Sequence, residues 1–184
     1  VQLRAGDYRL EPLQRDHVER LHALLDHAMW RGMTTEYPSD VTALWEQLEP
    51  AIKAPDVMAF VALNGARVVG STRFYDIAPQ QCRLEIGSTF YARSEWGSAL
   101  NPACKLMLME HAFETMQMHR VALRCDSRNT RSAGAISRLG ATAEGVLRGH
   151  RIDGTGTISD TAYFSVLQPE WSVVKSGLQR RLAS

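Results

Sequence analysis

Apolar and polar positions along the 184 residues switch between a period of two and a helical period, and their order predicts an α/β chain. Tyr8–Leu13 (YRLEPL) alternates sides and ends beside a proline, the pattern of an edge strand. Asp16 is a helix start. After it Val18, Leu21, Leu24, Leu25 and Ala28 recur at helical spacing, so an amphipathic first helix is expected. Met29–Pro38 carries large side chains but is broken by Gly32 and Pro38, which predicts a connecting loop. Val41–Lys53 is helical again through Leu44, Trp45, Leu48 and Ile52 and ends before Pro55.

Val57–Leu63 and Arg67–Tyr75 read as strands joined at Asn64-Gly65, where both residues tolerate positive φ and favour a hairpin. Arg83–Tyr91 extends this into an antiparallel meander. The apolar face of Leu100–Met118 predicts a crossover helix into the strand Arg120–Cys125, which should then lie parallel to 84–91. An asparagine-led helix from Asn129 follows. Ala143–Arg151 and Thr157–Leu167 flank Asp153-Gly154-Thr155-Gly156 as a terminal hairpin, and Glu170–Leu182 closes the pattern as a short helix.

Bulk properties narrow the class. The length predicts one domain over residues 1–184. A net charge of +1 gives no global reason to expect nucleic acid or an anionic membrane as partner. Cys82, Cys104 and Cys125 lack metal-ligand spacing and suit a reducing compartment, and the six histidines form no ligand cluster, so no metal is expected. There is no charged-then-apolar leader, and no apolar run approaches the ~18 residues of a membrane span; a soluble, cytoplasmic protein is the expectation.

The candidate chemistry lies between Leu84 and Gly140. Ser94–Ala99 (SEWGSA) is a loop of mostly small residues that opens a helix, and a helix N-terminus offers unpaired N–H groups and a positive dipole end. Gly97, Ser98 and Ala99 are small enough for a phosphate to approach. An ordinary strand-to-helix connection is the other reading. Neither the three-glycine dinucleotide fingerprint nor a nucleotide P-loop is present.

The run Arg124-Cys-Asp-Ser-Arg-Asn-Thr-Arg-Ser-Ala-Gly-Ala-Ile-Ser-Arg-Leu-Gly140 resembles the Asn-x-x-Ser-x-x-Ala-Ile-x-x-Leu-Gly segment of GNAT N-acetyltransferases. The likeness is nearest to the branch containing the ribosomal-protein-alanine N-acetyltransferases (RimJ/RimL-like). It extends through Glu85-Ile-Gly87, the loop, Glu144–Arg148, Asp153-Gly154 and Asp160 to Trp171. It implies a mixed, mainly antiparallel central sheet with helices on both faces and a V-shaped splay between its two parallel strands. It also implies acetyl-CoA as co-substrate, with its pantetheine arm in the splay near Thr89, Phe90 and Tyr91. The pyrophosphate would lie on Ser94, Glu95, Trp96, Gly97, Ser98 and Ala99, with Asn101, Asn129 and Ser132 adding contacts. Ser94 stands where the family has Gln or Arg, with Arg93 one residue early, so one donor is lost while the backbone cradle stays.

The implied reaction is attack of a neutral amine on a thioester, which calls for a base, a polarised carbonyl and a stabilised thiolate. Ile136 stands where many relatives carry an acidic tyrosine. Ser132 is the remaining hydroxyl for the sulfur, or simply a first-turn serine behind the Asn129 cap. Glu85 is the candidate base, or a solvent-facing strand carboxylate. The resemblance makes Trp30, Met33 and Tyr37 walls of an acceptor pocket; covering the core edge is their other reading. Arg151 stands where some relatives have an acid, and would suit an acidic acceptor. The acceptor is a small-molecule or peptide amine, a homodimer stays open, and a non-catalytic acyl-CoA-binding sensor or interaction module is the alternative.

Overall fold

The computed structural model describes residues 1–183. Eight strands form one mixed sheet in the order β1-β2-β3-β4-β5-β6-β8-β7. They are β1 (Leu3–Ala5), β2 (Tyr8–Pro12), β3 (Met58–Asn64), β4 (Arg67–Ala78), β5 (Arg83–Tyr91), β6 (Arg120–Asp126), β7 (Thr142–Ile152) and β8 (Ile158–Leu167). Only β5 and β6 run parallel, as the crossover predicts.

The helices are α1 (Val18–His22), α2 (His27–Trp30), α3 (Val41–Lys53), α4 (Leu100–Glu110, continuing as a π-helix over His111–Thr115), α5 (Thr130–Arg138) and α6 (Trp171–Ala183). They sit on both faces of the sheet. On one face, Leu100, Leu108 and Met109 of α4, Ile136 of α5 and Trp171 of α6 pack with Leu84, Ile86 and Leu123. On the other, Val18, Leu21, Trp30 and Leu44 pack with Val61, Leu63 and Phe90.

The sequence pattern departs from the structure in two places. The first helix is expected to run unbroken from Val18 to Ala28, but it stops at His22 and restarts at His27. Asp26 has extended backbone (φ −142°) and accepts a 2.9 Å hydrogen bond from Met29 N–H, so it caps a new helix where helical periodicity alone reads through. The guanidinium of Arg93 pairs with the same carboxylate and holds it well below the usual aspartate range. The edge strand is the other departure: β1 lies outside Tyr8–Pro12, too short to show alternation.

The feature that matters for function is where β5 and β6 part. Their ladder covers only Arg83–Ile86 against Arg120–Leu123, while β5 runs on to Tyr91 and β6 to Asp126. At the same point the β4–β5 register slips between Ser71↔Phe90 and Arg73↔Gly87, placing one extra residue in β5. Ser88 takes it up at φ 45°, a left-handed conformation uncommon outside glycine. The bulge turns β5 away from β6 and opens the splay. On its other side β6 stays paired with β8 along its whole length, from Arg120↔Leu167 to Asp126↔Thr161.

Candidate active site

Two helix N-termini flank the mouth of the splay. Asn129 caps α5, its side-chain oxygen accepting from Ser132 N–H at 3.0 Å, so the cap reading of Asn129 holds at the level of geometry. The Ser132 hydroxyl stands beside the Cys125 thiol of β6; burial pushes that thiol up, and the hydroxyl offsets part of the rise. The loop before α4 is held by its own side chains. Glu95, 7% exposed, pairs with Arg67 at 2.7 Å and accepts from Ser98 Oγ at 3.1 Å, so its carboxylate is committed within the protein. Ser98 Oγ in turn accepts from Leu100 N–H at 3.1 Å.

Gly97 has φ +80°, and a Cβ built there would meet nothing within 4 Å. The loop therefore presents open space at its glycine, the cradle that a pyrophosphate needs. Trp96 Nε1 donates to the Tyr91 carbonyl at 3.0 Å, and the Arg131 guanidinium stacks 3.8 Å over the Trp96 ring. Arg131, in the first turn of α5, thus places a cation over this loop, while Arg93, 5.0 Å from the same ring, is paired with Asp26, and Ser94 is exposed. Sequence spacing gives no sign of that contact, because Arg131 and Trp96 belong to separate elements.

On the α1–α3 face of the sheet the splay opens onto polar residues. Glu85 is 8% exposed. Arg124 Nε lies 3.2 Å from Glu85 Oε2 but directs its hydrogen bond to the Tyr75 hydroxyl at 3.0 Å, so this buried oxygen is paired by charge and has no hydrogen-bond donor. Burial, reinforced by the charge of Glu85, pushes the Tyr75 phenol well above its ordinary range, so it stays protonated. Arg124 Nη1 also donates to Tyr163 Oη at 2.7 Å. Alternation along the strand places Glu85 and Gly87 together, and a Cβ on Gly87 would press into the Tyr75 ring at 2.8 Å. Asp126 is not free to act as a base: hydrogen bonds from Arg128 hold it well below the usual carboxylate range, and Ser159 Oγ donates to it at 2.8 Å.

The loop from Met29 to Pro38 covers this face. Trp30 Nε1 donates to the carbonyls of Thr35 and Glu36 at 3.1 and 2.9 Å and its ring meets Phe90 at 5.3 Å, fixing the loop's fold. Trp30 and Met33 line a cavity of about 30 Å³ with Arg73, Ser88, Thr35 and Gln47. Tyr37 lies apart from it, stacked on His27 at 3.9 Å and donating to the Leu25 carbonyl at 3.3 Å. The β7–β8 turn closes onto the same loop: Gly154 N–H donates to Met33 O at 3.3 Å, and a Cβ at Gly154 would lie 2.3 Å from Thr35 O. Arg151 reaches Gly32 O at 3.3 Å and leaves its buried Nε without an acceptor. His150, which the sequence reading passes over, stands on this side with Nδ1 3.1 Å from Thr161 Oγ1.

Residues 8–142 match the family described as "Acetyltransferase (GNAT) domain". The chain belongs to the GNAT acetyltransferase family. The match supports the reading of the chain as an acyltransferase. A solved chain from T. thermophilus, described as a putative acetyltransferase, is 34% identical over 98% of this chain and 96% of its own, with a TM-score of 0.92. The GNAT fold also appears in Mycobacterium smegmatis RimJ in complex with CoA-disulfide, 20% identical over 100% of this chain and 92% of that one, at a TM-score of 0.81. An uncharacterized N-acetyltransferase, p20, of Bacillus licheniformis is 27% identical over 105 residues, 57% of this chain. That match spans only 58% of the curated relative's length. Among the described residues no group of three or more His, Cys, Asp and Glu side chains is placed to hold a metal, and no helix is long and apolar enough to cross a membrane.

Lys105 of α4 is 5% exposed and donates to Thr89 Oγ1 at 3.2 Å. Burial lowers it to about 8, and it has no carboxylate partner among the described residues. Because the folded value lies below the unfolded one, the unfolded chain binds the extra proton, and stability rises with pH between about 8 and the ordinary lysine range. The gain is on the order of 3 kcal/mol when complete. Urea midpoints at pH 7.5 and pH 9.5 are expected to show the rise in the native protein and a flatter profile in Lys105→Met. An equal rise in both would remove Lys105 as its source.

Proposed function

We propose that this protein transfers the acetyl group of acetyl-CoA to a primary amine by direct attack, within a RimJ/RimL-like branch of the family. The observation that carries the reading is the splay of β5 from β6 beyond Ile86 and Leu123, with an open glycine loop and the α4 N-terminus at its mouth. The edge of β5 along 87–91 that faces away from β4 and that β6 leaves uncovered suits the extended, amide-bearing pantetheine arm. The Gly97–Ala99 backbone and Arg131 suit the pyrophosphate. Ser94, Trp96 and Asn101 complete this side of the site. Glu95 contributes through the loop it shapes.

In this reading the amine enters from the α1–α3 face beside Trp30 and Met33. A proton of its ammonium form passes to Glu85, directly or through a water on Oε2, and on to solvent. The amine nitrogen bonds to the thioester carbon, the carbon–sulfur bond breaks, and the departing thiolate, steadied by a hydrogen bond from Ser132 Oγ, takes up the proton that the nitrogen loses as the amide forms. The free, mostly buried thiols fit a reducing cytoplasm.

Incubation with acetyl-CoA and a panel of peptides, amino acids, polyamines and aminoglycosides tests the proposal. Amine-dependent release of free coenzyme A with an acetylated product supports it, and hydrolysis alone or no turnover on the whole panel rejects it. Ser132→Ala separates the two readings of that serine. A catalytic hydroxyl predicts kcat and kcat/KM reduced together by roughly 10- to 1000-fold with coenzyme A affinity kept. A purely structural serine predicts full activity per folded molecule and a lowered melting temperature.

A further inference from the structure

Most cations on the polar face outside the splay are matched to anions. Arg120 pairs with Glu144, Arg124 with Glu85, and Arg128 with Asp126 and Asp153. Arg73 has no carboxylate partner among the described residues. Its hydrogen bond is to Ser88 Oγ at 2.5 Å, and its titratable neighbour is the protonated Tyr75 phenol. A half-buried guanidinium left without an anion is costly, and the cost is recovered only when something negative arrives.

Arg73 also lines the cavity with Ser88, Trp30, Met33, Thr35 and Gln47. At about 30 Å³ the space admits a group of a few atoms and no whole side chain. Ser88 is the bulge residue at which β5 leaves β6, so a group held here lies next to the splay. A second unmatched guanidinium stands on the loop that walls the cavity: Arg151 at Gly32 O, with its buried Nε unpartnered. Gln47 Oε1 is unpartnered too, an acceptor whose orientation is set by Gln47 Nε2 donating to Glu36 O at 3.0 Å.

We infer that Arg73 is the carboxylate-binding residue of the acceptor site, so that the amine this enzyme acetylates carries a carboxylate seated against Arg73 and Ser88. The inference rests on the proposed acetyl transfer in this cleft. The carboxylate takes charge-assisted hydrogen bonds from Arg73, Gln47 Oε1 accepts from an N–H of the same molecule or from a water, and Arg151 adds positive potential at the entrance. With the carboxylate this close to the splay, the amine must follow within a few bonds. Amino acids and peptides with an acidic residue near the N-terminus meet that requirement. A polyamine brings only further positive charge.

The test compares an amino acid, its carboxamide, an acidic dipeptide and spermidine as acceptors. The native enzyme is expected to prefer the carboxylate over the matched carboxamide by on the order of 100-fold in kcat/KM. Arg73→Met is expected to lose about that factor on the carboxylate acceptors alone, chiefly through KM, with the KM for acetyl-CoA unchanged. Arg73→Lys should regain part of it and stands in if Arg73→Met fails to fold. The ratio of amino acid to dipeptide says which source supplies the carboxylate. Equal use of acid and amide, spermidine as the best acceptor, or an equal loss on every acceptor in Arg73→Met would overturn the inference and leave acetyl transfer standing. Failure of every amine would overturn both.

Discussion

Gly97→Glu is expected to abolish coenzyme A binding, lowering affinity by at least about 100-fold. Three effects act together. The glycine sits at φ +80°, which side-chain-bearing residues adopt at a cost of about 1 kcal/mol or more. The space around its missing Cβ is empty, so a glutamate side chain would stand in the cradle itself. Its carboxylate would then repel the phosphates that the α4 N-terminus and Arg131 are placed to attract. Calorimetry of coenzyme A binding reads the effect directly, and a melting curve shows whether the fold survives. Since nothing contacts the position within 4 Å, the loop should stay folded. Unchanged affinity would remove the 94–99 loop from the binding site.

Glu85→Gln is expected to cut kcat by roughly 100- to 10,000-fold while leaving coenzyme A affinity intact, the range for loss of a general base. The isosteric amide keeps the shape of the buried side chain but cannot take a proton. Glu85 Oε2 is buried, lacks a hydrogen-bond donor, and lies on the acceptor face next to Gly87. Arg124 Nε stands 3.2 Å from the same oxygen. If Glu85 only balances the charge of Arg124, the substitution lowers the melting temperature and leaves turnover per folded molecule unchanged. His150 is then the next titratable group on this face to replace.

Much of the scaffold could be read from the chain. Asn64-Gly65 marked the β3–β4 hairpin, and the apolar face of Leu100–Met118 marked the crossover that makes β5 and β6 parallel. Asn129 announced its own cap. These are local signals, carried by residues within one turn or one strand. The break after His22 escaped the pattern because apolar periodicity reads through Asp26, whose side chain caps the new helix at Met29 N–H and is itself held by Arg93, 67 positions away. The bulge at Ser88 escaped for a related reason: serine seldom takes positive φ, and only the register against Ser71 and Arg73 reveals it.

The candidate site was legible where a backbone motif carries its geometry, in the open glycine of the Ser94–Ala99 loop and the cap of the asparagine-led helix. It was hidden where side chains converge from separate strands. Nothing in the sequence links Arg73 to Ser88, Arg131 to Trp96, or Gly154 to the backbone of Thr35. The assignment of Glu95 to the pyrophosphate loop followed its position, and the structure shows its carboxylate turned inward to Arg67 and Ser98. Tyr37, placed with Trp30 and Met33 by the family resemblance, turns instead to His27.

A crystal structure of the protein with acetyl-CoA bound is the most direct test of the central claim. The account predicts the pantetheine arm between β5 and β6, hydrogen-bonded to backbone groups within 87–91, with the pyrophosphate on the N–H groups of 97–101 and the Arg131 side chain. It predicts the acetyl carbon beside Ser88, open toward Arg73 and Glu85. Coenzyme A bound elsewhere, with the splay beyond Ile86 and Leu123 left unfilled, would contradict it.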